Sequence, residues 1–402
     1  MIVAKAGSAP LFRFALLLLA LVASVPGLGR AAIPSEITIH YIERQIERPP
    51  VLSNFDPPPE DEGLRGAELA IVENTTTGKF VGLSYRLKPT VIGPEEDFRK
   101  RIAELFETEK PKLILVNAPA QDLLALTDLA AAYGALVLNA GAPDTRLRDG
   151  DCRENLLHTL PSRDMLTDAL VQYLVVRQWS RIFLISGVKP GDKLYADAVR
   201  NSAKKFGARL VGDKTFDAQD ADLRQSAGAE LVVATQGPEY DVVVVADEEG
   251  NFGPYLPYHT WLPRPVAGTQ GMTPVAWARP VENYGAAQLQ RRFIKLAGRS
   301  MTSIDYAAWL AVRAIGEAAI KTDSTEATKI GAALRSGNVE LSAFKGRALS
   351  FRPWNGQLRQ PIPLVWPGAV VAMAPLEGFL HQTTELDTLG LDSPETACKH
   401  PS

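Results

Sequence analysis

The chain has 402 residues, is 46% hydrophobic and 22% charged, and carries a formal net charge of -3. That length exceeds what one hydrophobic core serves, so two domains are expected. A charge so close to neutral gives no hint of nucleic-acid binding, and no nucleic-acid partner is expected.

At the N-terminus Lys5 and Arg13 precede an apolar run from Phe14 to Val25, which ends in the small residues of Gly27 to Ala32. The run falls short of the ~20 residues a membrane span needs. Residues 1–31 therefore read as a cleavable secretory signal peptide, with cleavage after Ala31 and no membrane insertion afterwards. Export places the only two cysteines, Cys152 and Cys398, in an oxidising compartment, where a disulfide is expected; two separate thiols are the alternative.

From Ile37 a pattern repeats: a β-branched apolar run, a polar turn, then a helical segment of 3.6-residue period. The runs are ITIHYIE, FVGLSYRL, KLILVNA and ALVLNA, then RIFLISG, ARLVGDKTF, DVVVVAD and PVAGTQG. Continuous apolar strands alternating with helices such as EGLRGAELAIVENTTTG and LTDALVQYLVVRQW predict α/β architecture, with parallel sheets covered on both faces. A long helix is expected from Asp305 to Ile320, with Tyr306, Leu310, Ala314 and Ala318 as its core stripe. A short β-like segment, GRALSFRPWNGQLRQPIPLVW, follows and turns at Asn355-Gly356, and the chain from about Met373 reads as loop.

No phosphate loop, GxSxG elbow, HExxH or Cys-His nucleophile motif occurs, so no enzyme is expected and no cofactor is implied. The cysteines have no metal-ligand spacing, and no metal is expected. In parallel α/β sheets a ligand meets the carboxyl ends of the strands. That rule selects Glu43, Arg44 and Gln45, then Asn117 and Ala118, then Asn139, Ala140 and Gly141. In the second half it selects Ser186 and Gly187, Asp247 and Glu248, and Gln270 and Gly271.

Taken in order, GLRGAELAIVENTTTGKF, ALVLNAGAPDTRLR, ENLLHTLPSRDMLTDALVQYL, GDKLYADAVRNSAKKFGARLV, PVAGTQG and GRALSFRPWNGQ resemble the type I periplasmic solute-binding proteins of ABC importers, of the branched-chain amino-acid-binding type. DPPPEDEGLRGAELAIVENTTTG, GTQGMTPVAWARP and DYAAWLAVRAIGEA resemble, more narrowly, the subfamily associated with pyrroloquinoline quinone (PQQ)-dependent alcohol dehydrogenase systems. The resemblance implies a monomer of two lobes joined by three crossovers, a periplasmic location, and ABC permease and ATPase partners. The expected division is 33–157 with 272–320 as lobe one, 158–271 with 321–372 as lobe two, and 373–402 as a C-terminal tail.

Departures from the amino-acid-binding pattern shape the expected ligand. Asn117-Ala118-Pro119 and Gly141-Ala142-Pro143 stand where those relatives carry hydroxyls, and Gln270 stands at the acid that pairs with the ammonium. A neutral amide does not balance a desolvated ammonium, although Asp247 or Glu248 could supply the acid. Trp277 and Arg279 follow Gln270, while Arg44, Arg48, Lys189 and Lys193 lie in other strand-end loops, and Tyr195 matches a family tyrosine facing the cleft. A stacking Trp277 with converging cations would suit a planar anion such as PQQ or an alcohol-pathway metabolite. Branched-chain amino-acid or amide binding, and a ligand-sensing receptor subunit, are the alternatives.

Overall fold

The computed structural model describes residues 35–47, 58–217 and 227–398. The signal-peptide segment 1–31 and Arg48 lie outside the described residues. The first half runs β1 (Ser35–Arg44), α1 (Leu64–Gly78), β2 (Leu83–Ile92), α2 (Phe98–Glu109), β3 (Leu113–Asn117), α3 (Ala120–Ala132), β4 (Leu136–Asn139) and β5 (Leu156–His158). The second continues with α4 (Arg163–Val176), β6 (Arg181–Ser186), α5 (Pro190–Phe206), β7 (Arg209–Thr215), α6 (Ala227–Ala234), β8 (Val242–Ala246), β9 (Val266–Gly268) and β10 (Thr273–Pro274). The return comprises α7 (Ala286–Ala297), α8 (Ser303–Thr322), α9 (Ala327–Arg335), β11 (Leu341–Ser342), β12 (Ala348–Leu349), β13 (Ile362–Trp366) and β14 (Ala369–Ala374).

Two parallel sheets form, one per lobe. The first has the order β2-β1-β3-β4-β5 and the second β7-β6-β8-β9. Strand β8 reads VVVVA and is buried throughout, as a strand covered on both faces must be. On the first sheet Ile37, Ile39 and Tyr41 face α1, α7, α8 and α9, while Ile42 and Ile114 face α2 and α3. On the second, α4 and α5 cover one face, and α6 with Phe252 and Leu256 covers the other. A small antiparallel sheet, β10-β13-β14, packs against α4.

Helix α8 is locked at its start by a reciprocal cap between Thr302 and Asp305. Gly66 in α1 lets the two helices meet, because a Cβ there would lie 1.9 Å from the Asp305 carbonyl oxygen. The expected long helix is thus present, and its stripe of Tyr306, Leu310, Ala314 and Ala318 is wholly buried.

Residues 321–358 correct the expected division of the chain. The expected lobe two includes them, but Ile330, Leu334, Leu341, Leu349 and Phe351 share the core of the first sheet. The left-handed Asp323 turns α9 straight back from the end of α8, so its apolar face meets β4 and α8 before the chain can cross. Only β13 and β14 of the return join the second lobe. The tail also has more order than a loop reading implies, with strand β14 reaching Ala374 and a 3-10 turn at Glu385–Thr388.

Candidate functional site

The chain passes between the lobes at 159–162, 275–276 and 350–361. The first and last of these run side by side. His158 N donates to Gly356 O and Leu358 N to His158 O, each at 2.8 Å. The Gln357 amide nitrogen donates to the carbonyls of His158 and Leu160, and that of Gln360 to Thr159. Fully buried Arg148 ties this hinge to the first lobe by donating to Gln357 Oε1, Ala142 O, Asp144 O and Leu160 O. Burial lowers its pKa to about 9, which leaves it charged at neutral pH.

On the first lobe the strand ends build a polar lip. Tyr41 Oη donates to Glu43 Oε2 at 2.9 Å and lies 3.2 Å from Glu62 O, and the Asn117 amide reaches Glu62 O at 3.3 Å. Burial, then the Glu43 charge, pushes the Tyr41 phenol up. Buried Asn139 shapes the next loop by accepting from Gly141 N and Ala142 N and donating to Ala142 O. Gly141 is required there, since a Cβ would come within 2.4 Å of Asn117 Oδ1. Ala118 is buried and offers no polar side chain.

On the second lobe the acids face inward onto backbone. Asp247, wholly buried, accepts from the amides of Asn251, Phe252 and Gly253 at 2.7–3.0 Å. Asp192 accepts from Lys189 N and Glu248 N, and burial with Asp247 and Glu248 nearby raises its carboxyl to about 6. Half-buried Gln270 lies over Gly253, whose Cβ would fall 2.6 Å from its Cγ. Tyr195, on α5, is 3% exposed, and its hydroxyl has no hydrogen-bond partner among the described residues. Burial and the nearby Glu248 charge raise that phenol.

Arg163, at the start of α4, joins the two sets of strand ends. Its Nε and Nη2 donate to Glu248 Oε1 and Oε2 at 2.7 and 2.8 Å, a bidentate pair. Its Nη1 lies 3.0 Å from Asp144 Oδ2, close enough to pair although not aligned as a hydrogen bond. Burial works against the guanidinium charge, and the two carboxylates outweigh it, so its pKa is raised. The carboxyl ends of β4 and β8 therefore converge on one cation.

Several expected site residues lie elsewhere. Trp277 is 2% exposed, stacks on Tyr306 with centroids 4.6 Å apart, and donates Nε1 to Gln290 Oε1 at 3.0 Å. It is a core residue of the first lobe, because the chain has already crossed back when it is reached. Arg44 curls over Phe98 and donates to the carbonyls of Gly93, Pro94 and Glu96, which engages it with its own lobe. Asp247 and Glu248 are taken by backbone amides and by Arg163, so neither stands free for an ammonium. Arg279 and Lys193 are exposed and Lys189 is half-buried, and none holds an ion pair among the described residues. The Cys152–Cys398 disulfide forms as expected.

The reading from sequence missed Arg163, Asp144, Asp192 and Tyr41. Position in the strand-end pattern could have raised Asp144 and Asp192, but the partner of Glu248 lies 85 residues away, and nothing local signals it. A groove of about 670 Å³ on the outer face of α2 and α3, lined by Arg99, Ile102, Leu124 and Arg153 among others, touches none of these strand ends. Among the described residues no cluster of His, Cys, Asp and Glu could hold a metal ion.

Two parallel lobes with opposed strand ends and paired crossovers define the two-lobed type I periplasmic-binding-protein fold. A family model described as periplasmic binding protein matches residues 93–253, in agreement with that fold. A branched-chain amino acid ABC transporter periplasmic ligand-binding protein from Burkholderia xenovorans is 15% identical, with a TM-score of 0.70 over 90% of this chain and 99% of that one. An ABC transporter solute-binding protein from R. palustris in complex with benzoate is 13% identical, with a TM-score of 0.66 over 91% and 100%. The branched-chain amino acid transporter substrate-binding protein LivJ from Streptococcus pneumoniae, in complex with isoleucine, is 16% identical, with a TM-score of 0.62 over 84% and 99%. At these identities the likeness is one of fold. No curated protein matches the chain in sequence.

Proposed function

We propose that this protein is the periplasmic solute-binding component of an ABC importer, and that its lobes close on a small organic acid lacking an ammonium group. One observation carries the ligand class: Glu248, an acid at the second-lobe strand ends, is already paired bidentately with Arg163, while the buried Tyr195 hydroxyl beside it has no hydrogen-bond partner among the described residues. An ammonium drawn out of water without a carboxylate to meet it loses several kcal/mol, on the order of a buried unpaired charge. A ligand carboxylate suits the site better. It would accept from Tyr195, with Lys189 just before α5, Lys193 in the first turn of α5 and Arg279 just after the second crossing as nearby cations that hold no ion pair among the described residues.

PQQ, with three carboxylates on a flat quinone, falls in this class and is the particular ligand the sequence resemblance suggests. Its stacking partner would have to be a ring other than Trp277, which Tyr306 covers. A permease and an ATPase are the partners such a role requires.

Thermal shift tests the reading, because a ligand at 100 times its Kd stabilises the fold by about 2.7 kcal/mol. Leucine, 4-methylpentanoate, benzoate and PQQ would be compared, the first two sharing a carbon skeleton. A larger shift with an acid that lacks the ammonium is expected. A leucine shift equal to or above that of 4-methylpentanoate overturns the ligand class. Absence of any shift with these compounds and with a whole-cell metabolite extract overturns solute capture.

A further inference from the structure

The geometry points to a fourth connection between the lobes: the C-terminal tail, closed by the Cys152–Cys398 disulfide, is a strap that restrains hinge opening. Leu389 packs against Met165 and Ala169 of α4, in the second lobe. Gly390 N donates to Asp168 Oδ2 at 2.8 Å, and Lys205 on α5 donates to Gly390 O, Asp168 and Glu395. A few residues on, the same tail is held by the first lobe. Thr396 Oγ1 donates to Arg148 O, Ala397 N to Asp149 Oδ1, and Cys398 is bonded to Cys152 in the loop between β4 and β5.

Between these anchors the tail lies on the hinge. Asp387 receives both Arg352 and Arg359 of the 350–361 crossing, each at 2.8 Å, and Arg352 also donates to the carbonyls of Leu386, Leu389 and Leu391. From Gly390 to Thr396 the chain can span at most ~20 Å when fully extended. That stretch is not extended now, for it is folded into a turn in which Glu395 accepts from Asp392 N and Lys205. Parting the lobes on the strap side must unroll this turn and release Lys205. The disulfide makes the first-lobe end permanent, so that opening works against the second-lobe anchors of Leu389 and Gly390, whereas a wholly noncovalent tail would peel from Asp149 and leave the hinge free.

The test measures the distance between the lobes without needing a ligand. Spin labels carried on unnatural amino acids at exposed Lys100 and Asn201 would be read by electron double resonance in the wild type, in a Cys152→Ser/Cys398→Ser variant, and in Lys205→Met. The serine variant is expected to show a broader distribution with an added longer component, and faster amide exchange at 158–160 and 356–358. Lys205→Met, which keeps the disulfide, is expected to broaden less and to keep the wild-type upper limit. Distributions identical in all three proteins overturn the strap. If the serine variant does not fold, the Lys205→Met distribution against the wild type still decides: loss of the upper limit with the disulfide intact overturns it.

Discussion

At the scale of single residues, Arg163 and Trp277 carry opposite lessons about which side chains matter to the cleft. Arg163 is 8% exposed and holds Asp144 of one lobe and Glu248 of the other. Replacing it by Gln leaves two carboxylates without their cation, and removal of one partner from a buried ion pair costs about 3–5 kcal/mol. Urea unfolding of Arg163→Gln should show a loss of that order. With Glu248 released, the preference for 4-methylpentanoate over leucine should narrow or reverse in titration calorimetry. Trp277, in contrast, is packed between Tyr306 and Gln290. Trp277→Ala should therefore lower stability by about 3–5 kcal/mol through the cavity it leaves, and the affinity of the folded fraction for ligand should stay as it was. A large affinity loss with unchanged unfolding would return Trp277 to the cleft.

At the scale of elements, the start of α5 and the middle of α4 place carboxyls where folding favours the proton. Burial raises both Asp192 and Asp168 to about 6. Unfolded, an aspartate titrates near ~3.9, so between about pH 4 and 6 the native state holds more protons than the unfolded one, and the contribution of these groups to stability falls as pH rises through that window. Asp192→Asn should flatten that decline, seen as a smaller difference between urea midpoints at pH 4.5 and pH 7 than in the wild type. An unchanged difference would show that Asp192 is ionised throughout. The strands at this scale were legible in sequence because continuous apolar runs such as VVVVA have one stable use, the interior of a parallel sheet. Helix α9 was expected in the second lobe and lies in the first, since its amphipathic pattern says that it packs but not on which sheet. The candidate site was legible in part: Asn117, Gly141, Glu248 and Gln270, which the strand-end rule selects, do lie at strand ends, and Tyr195, which only the resemblance suggests, lies on the adjoining α5. The rule could not say that Arg44 turns to carbonyls at 93–96 or that Glu248 is paired, because both depend on long-range contacts.

At the scale of the whole molecule, the disulfide encloses most of the protein in one covalent loop. Its ends are 246 residues apart, and the loop contains the entire second lobe, all three crossings and the return through α7, α8 and α9. In the chain-entropy model, closing a loop of that length destabilises the unfolded ensemble by about 5 kcal/mol. The same bond thus has two separable consequences, one exerted on the unfolded chain and one on the motion of the folded lobes. Cys152→Ser/Cys398→Ser should lower the unfolding free energy by up to about 5 kcal/mol, whereas Lys205→Met, which leaves the loop closed, should lower it much less. Calorimetric unfolding of the two variants beside the wild type checks this. Equal losses in both would mean that the tail stabilises through its contacts with α4 and α5 rather than through the ring that Cys398 closes. A full loss in the serine variant with little in Lys205→Met would place the stabilisation in the covalent loop that Cys398 closes.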